Sequence, residues 1–127
     1  LLKGRGVTML LTTHYMEEAT HLCDRLVIMH RGVILTEGRP HDLIAEHVGD
    51  YVLELRLRPL DRDRLLEELP PELTVAIEEV EDLTYVFGAG EAGHRLAEQV
   101  GDPHRAFLRP GNMEDVFLRL TGRGLLD

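Results

Sequence analysis

The sequence predicts an α+β fold in two parts: an α/β segment over residues 1–48, and one antiparallel sheet with helices on one face over residues 50–127. Three observations carry this prediction. Apolar residues run continuously in the first part but alternate with polar ones after Gly49-Asp50. The second part then reads in the order β-α-β-β-α-β. A last stretch, from Asn112 to Gly122, has helical period and a cap at each end.

In the first part, Val7-Thr8-Met9-Leu10-Leu11 has the continuous apolar character of a strand buried on both faces of a parallel sheet. It ends in Thr12-Thr13-His14. Met16, Ala19, Leu22 and Cys23 then recur at helical spacing, which predicts a short helix with those four inward and Glu17, Glu18 and His21 in water. Arg25-Leu26-Val27-Ile28-Met29 reads as a strand. His30-Arg31-Gly32 turns it back into Val33-Ile34-Leu35-Thr36, a hairpin. Pro40 opens a helix running to about His47, since proline fits the first turn, where its missing N–H costs nothing.

In the second part, Leu53, Leu55 and Leu57 alternate with Glu54, Arg56 and Arg58, the pattern of a strand with one wet face. A helix carrying Leu65, Leu66 and Leu69 stops at Pro70-Pro71. Leu73, Val75 and Ile77 predict a strand. Glu78-Glu79-Val80-Glu81-Asp82 reads as an acidic, solvated turn, and Leu83, Tyr85 and Phe87 as the strand after it. Glu91 to Val100 predicts a helix with Leu96, Ala97 and Val100 inward, and Ala106 and Leu108 mark a fourth strand. This order is that of a ferredoxin-like βαββαβ module. In the closing helix Asn112 is the N-cap, Glu114 and Asp115 suit the positive end of the helix dipole, and Gly122 ends it. Its apolar stripe, Met113, Val116, Phe117 and Leu120, is read as core or as a lid over the open sheet face.

Bulk properties narrow the function. With 14 Lys and Arg against 23 Asp and Glu, the net charge is −9. Neutralising a phosphate backbone takes a basic stripe, and none is visible, so no nucleic-acid partner is expected. The single cysteine, Cys23, permits no intrachain disulfide and suits a reducing cytosol. No apolar run approaches the ~20 residues of a membrane-spanning helix, and the start, Leu1-Leu2-Lys3-Gly4, lacks the features of a signal peptide.

Leu10-Leu11-Thr12-Thr13-His14-Tyr15-Met16-Glu17-Glu18-Ala19, with Cys23-Asp24-Arg25 and Gly32-Val33-Ile34-Leu35-Thr36-Glu37-Gly38 at these distances, resembles the switch-histidine segment of ABC ATPases. The tail from Arg109-Pro110-Gly111-Asn112-Met113-Glu114-Asp115-Val116-Phe117-Leu118 to Arg123 is similar to the ending of one ABC subgroup, the drug-resistance and nodulation-factor exporters. Residues 50–105 carry little that is diagnostic. The resemblance implies that residues 1–48 are the C-terminal remnant of a P-loop ATPase α/β core and residues 50–127 an accessory domain. It also implies ATP and Mg2+ as cofactors of the intact protein, a second ATPase subunit and an ABC-2 type membrane permease as partners, and a place on the cytoplasmic face of the cell membrane. His14 takes the role of the histidine that reaches the γ-phosphate of ATP held between two subunits. An imidazole near neutral pKa can donate to a phosphate oxygen and hold a water. Without its flanks, His14 would read as a surface residue at a helix start.

The sequence contains no G-x-x-x-x-G-K-[ST] loop, no LSGG-type signature and no apolar strand ending in an Asp-Glu pair. One histidine supplies a single charge-assisted contact of ~1.5–3 kcal/mol, too little to hold a nucleotide, so the chain alone is expected to have no ATPase activity. The alternative reading is a non-catalytic regulatory or dimerisation module of the same subunit. An ABC protein without a membrane partner is disfavoured by the exporter-type tail.

Two further signals are set aside. Gly88-Ala89-Gly90-Glu91-Ala92-Gly93 matches G-x-G-x-x-G, but a dinucleotide site also needs a parallel βαβ unit. Seven histidines lack the spacing of a metal site, and no metal is expected.

Overall fold

The computed structural model describes residues 4, 6–70 and 76–122. The first helix, α1 (Met16–Leu22), leads into a hairpin of β1 (Leu26–His30) and β2 (Val33–Gly38), then into α2 (Pro40–His47). Next come β3 (Tyr51–Leu55), α3 (Pro59–Leu66), β4 (Ala76–Val80), β5 (Leu83–Phe87), α4 (Gly90–Val100), β6 (Ala106–Pro110) and α5 (Met113–Thr121). β1 and β2 form their own antiparallel sheet. The other four strands form a second sheet in the order β4-β5-β3-β6, with every neighbouring pair antiparallel. The architecture is therefore α+β.

Turn chemistry explains both hairpins. His30 pairs with Val33, leaving Arg31 and Gly32 as a two-residue loop, and both have positive φ, at 52° and 78°. That backbone matches the right-handed twist of the flanking strands. Val80 pairs with Leu83 across Glu81-Asp82, with Glu81 at φ 57°. Only these two residues form the acidic turn. Glu78, Glu79 and Val80, expected in it, are strand residues of β4.

The four-stranded sheet is buried on both faces. Leu53, Leu55, Val86 and Ala106 pack with Leu65 of α3 and Leu96 of α4 on one side. Gly93 lets α4 lie close on the sheet: a Cβ there would lie 3.0 Å from Leu108 Cδ1 and 3.8 Å from the Leu53 Cβ, as well as 2.5 Å from the Cβ of Ala89 at the start of α4 itself. The opposite face, expected to be wet from the charges on β3, is covered as well. Val52 and Phe87 pack there against Met113, Val116, Phe117 and Leu118 of α5, together with Ile28, Leu43 and Val48 from the first part of the chain. Burying each such side chain stabilises by about 1.5–3 kcal/mol, and the helical stripe of α5 supplies a side chain at every turn. The two parts thus share one core, with α5 as its centre: α3 and α4 lie on one face as expected, and α5 lies over the other, as its apolar stripe suggested.

The first part departs further from expectation. Residues 7–11 form no strand, and Val7, Met9, Leu10 and Leu11 are exposed, Leu10 at 97%. A strand of a parallel sheet exists only where neighbours satisfy its N–H and C=O groups, and the described residues offer none. Ala19 of α1 is buried and Met16 packs on the core, but Leu22, expected inward, is 57% exposed. Val27, Met29, Val33 and Ile34 leave the β1–β2 hairpin apolar towards solvent. Large exposed apolar residues are thus concentrated before residue 36. In the second part, α3 ends at Leu66, short of the expected Leu69. The expected strand residues Leu73 and Val75 lie outside the described residues, while Ile77 is in β4.

Candidate functional site

His14 lies in the two-residue approach to α1. Thr13 Oγ1 accepts a hydrogen bond from the Tyr15 N–H at 3.0 Å, a side-chain turn that starts the helix where Tyr15, at the N-cap position, offers no capping side chain. The His14 ring lies against that of Tyr15, with centroids 4.2 Å apart, and is exposed. The backbone thus presents the imidazole at the surface, at the end of the uncovered segment 7–11.

Beside it, α1, α2 and the start of α5 enclose a cleft of about 380 Å3. Its apolar lining is Met16, Ile44 and Met113, and its rim carries Glu17, His21, His41 and Glu114. His21 and Glu17 approach to 3.8 Å. Among the described residues no group of three or more His, Cys, Asp or Glu is placed to hold a metal ion. Close packing closes the cleft from below: a Cβ on Gly111 would meet Val48 Cγ1 at 2.8 Å.

The most buried network of charged side chains among the described residues lies where β6 turns into α5. Asp115 is 3% exposed. Its Oδ2 accepts from the Asn112 N–H at 2.9 Å, and Asn112 Oδ1 accepts from the Asp115 N–H at 3.0 Å, which closes a capping box. Arg109 grips the same carboxylate at both ends, Nη1 to Oδ2 at 2.7 Å and Nη2 to Oδ1 at 2.8 Å. It also donates from Nε to Glu54 Oε1 on β3 at 3.2 Å. Hydrogen bonding to Asp115, against the opposing effect of burial, holds the Arg109 guanidinium above its already high pKa. Burial, reinforced by the nearby Glu54 carboxylate, raises the Tyr85 hydroxyl above its ordinary value. Further along α5, Arg119 donates to the His47 carbonyl at 3.3 Å, pairs with Glu78 at 3.6 Å and lies 5.9 Å over the Phe87 ring, while Phe117 meets His30 edge-on at 5.6 Å. One helix is therefore pinned to the sheet, to α2 and to the hairpin.

Sequence reasoning placed Asn112, Asp115 and Gly122 at the ends of α5 but missed the Arg109–Asp115–Glu54 network. The signal was an arginine six residues before an acid at N3, across a Pro-Gly turn, which the register of β6 on β3 then brings beside Glu54. The Gly88–Gly93 motif runs from the end of β5 into the first turn of α4, and β6, the next strand, is not a neighbour of β5, so no parallel βαβ unit surrounds it.

The sequence matches no protein-family model. It is similar to the Nod factor export ATP-binding protein I of Rhizobium etli, with 42% identity over 120 residues, covering 94% of this chain and 37% of that protein. The protein of the same name from Mesorhizobium japonicum is 43% identical over 122 residues, 96% of this chain and 35% of the relative. That from Bradyrhizobium diazoefficiens is 42% identical over 123 residues, 96% of this chain and 39% of the relative. The match is to the C-terminal portion of these ATP-binding proteins, so the chain spans between 35% and 39% of the length of these curated relatives.

Proposed function

We propose that this chain is the C-terminal part of the ATP-hydrolysing subunit of an ABC-type exporter, in which His14 contacts the γ-phosphate of ATP bound between two subunits. The similarity to Nod factor export ATP-binding proteins over nearly the whole chain is the observation that carries this reading. The surface supports it. Val7, Met9, Leu10 and Leu11, and the hairpin side chains Val27, Met29 and Ile34, are exposed as they would be if the sheet of an ATPase core normally covered them.

On this reading residues 1–48 belong to the ATPase domain, as the remnant of a P-loop α/β core. Residues 50–127 form an accessory domain, and the order β4-β5-β3-β6 with antiparallel neighbours supports a ferredoxin-like module there. The intact subunit binds Mg2+ and ATP, pairs with a second copy and drives an ABC-2 type permease from the cytoplasmic face of the membrane. None of the described helices is long and apolar enough to cross a membrane, which fits a subunit attached through a separate permease. Catalysis of phosphoryl transfer is mostly positioning and charge stabilisation. The part of His14 is therefore to aim one N–H donor at a phosphate oxygen from the start of α1, and the chain alone is inactive.

The test is a hybrid subunit in which this chain replaces the matching C-terminal portion of the Rhizobium etli protein. It should hydrolyse ATP, and His14→Ala should slow it on the order of a hundredfold, the usual effect of removing one transition-state donor. A His14→Ala hybrid as fast as its parent contradicts the assignment.

A further inference from the structure

We propose that the Arg109–Asp115 pair is a positioning device that sets the seat of α1, the helix His14 introduces, by fixing the start of α5 to the sheet. The inference rests on the switch-histidine reading for its functional meaning, but the physical coupling stands on the geometry alone. Arg109 belongs to β6, which is locked to β3 by pairing, and its fork holds Asp115 at 2.7 and 2.8 Å. Asp115 in turn fixes the first turn of α5 through the capping box. Met113, the first residue of that turn, is 1% exposed and lines the same cleft as Met16, two residues beyond His14. α1 and α5 are in direct contact, and Met16 packs on the core that α5 centres.

The arrangement is asymmetric. α5 is pinned at its start by Arg109 and near its end by Arg119, whose guanidinium reaches the His47 carbonyl and Glu78. α1 has a single buried residue, Ala19, no capping side chain and an open cleft of about 380 Å3 along its first turn. α1 can therefore shift where α5 cannot, and a packed contact between a fixed and a loose helix carries coupling between the elements behind them. The sheet reports its position to His14 through Arg109, Asp115, Met113 and Met16 in turn.

Methyl and imidazole NMR of the whole chain tests this without nucleotide. Arg109→Lys keeps the charge and removes the two-pronged grip. It should shift the Met16 methyl and the His14 ring resonances while the methyls of Leu53, Leu55 and Val86 stay in place. Asp115→Asn, which keeps the side-chain volume and an acceptor for the Asn112 N–H, should move the same two signals and serves if the lysine variant fails to fold. Glu54→Gln touches Arg109 but not α5 and should leave both unmoved. In the hybrid ATPase, Arg109→Lys should lower kcat about threefold to tenfold with the KM for ATP unchanged. Met16 and His14 signals that ignore Arg109→Lys and Asp115→Asn overturn the proposal, as does an equal shift from Glu54→Gln. A hybrid without ATPase activity, with the Met16 shift still present, sinks the switch-histidine reading and leaves the positioning device intact.

Discussion

Replacing Asp115 by alanine should be among the most destabilising single changes in this chain, because it undoes the end of α5 and the charge balance of Arg109 together. Breaking one side of a buried ion pair costs about 3–5 kcal/mol. Here two features reduce the loss. Arg109 keeps Glu54 at 3.2 Å, and its side chain is 18% exposed, so water reaches the cation left behind. The Asn112 N–H loses its acceptor but lies at an exposed residue, where water can replace it. The net expectation is about 2–3 kcal/mol, which corresponds to roughly 8–12 °C in Tm for a domain of this size. Urea unfolding followed by far-UV circular dichroism and by tyrosine fluorescence measures it, since the chain has three tyrosines and no tryptophan. A double-mutant cycle with Arg109→Met should return a coupling of at least about 1 kcal/mol. A loss below ~0.5 kcal/mol, typical of an exposed pair, would refute the claim that this network holds the core together.

The remaining predictions concern packing, titration and surface. Gly93→Ala should destabilise by about 1–3 kcal/mol although alanine is the better helix former, because its Cβ would lie 2.5 Å from that of Ala89; a stabilised variant in urea unfolding would show that α4 is not seated as described. The folded state holds the Tyr85 pKa above its unfolded value, chiefly by burial. Its contribution is therefore full below the unfolded pKa of about 10 and lost as pH rises through the folded value. Unfolding curves between pH 8 and about 11 should fall less steeply in Tyr85→Phe than in the parent chain, and parallel curves would remove Tyr85 as the cause. Ile34→Lys, at a side chain 59% exposed on the hairpin, should leave stability within ~0.5 kcal/mol while reducing self-association in sedimentation velocity. A large loss of stability there would mean that the hairpin face is already covered.

Most elements were legible because their signals are local. The alternation of Leu53 and Leu55, the Arg31-Gly32 turn and the capped stripe from Asn112 to Gly122 each depend on residues a few positions apart. What stayed hidden depends on partners distant in sequence. Val52 itself gave no sign of being covered, since α5 lies more than 60 residues on, and the only hint was the apolar stripe of α5. Arg109 meets Glu54 across 55 residues of sequence, and only the sheet register brings them together. Residues 7–11 mislead in the opposite sense. Their apolar run is that of a buried strand, yet a strand is made by its neighbours, and among the described residues none pairs with it. The candidate site divides in the same way: the proposal for His14 rests on its immediate flanks, and the network that anchors the helix behind α1 was not marked at all.

The most direct test of the central claim, that His14 acts only within a larger ATPase, is a calorimetric titration of the isolated chain with Mg2+ and ATP. The account predicts no binding heat up to millimolar nucleotide, because a single imidazole contact of ~1.5–3 kcal/mol falls short of even millimolar affinity. Saturable binding in the micromolar range would contradict it.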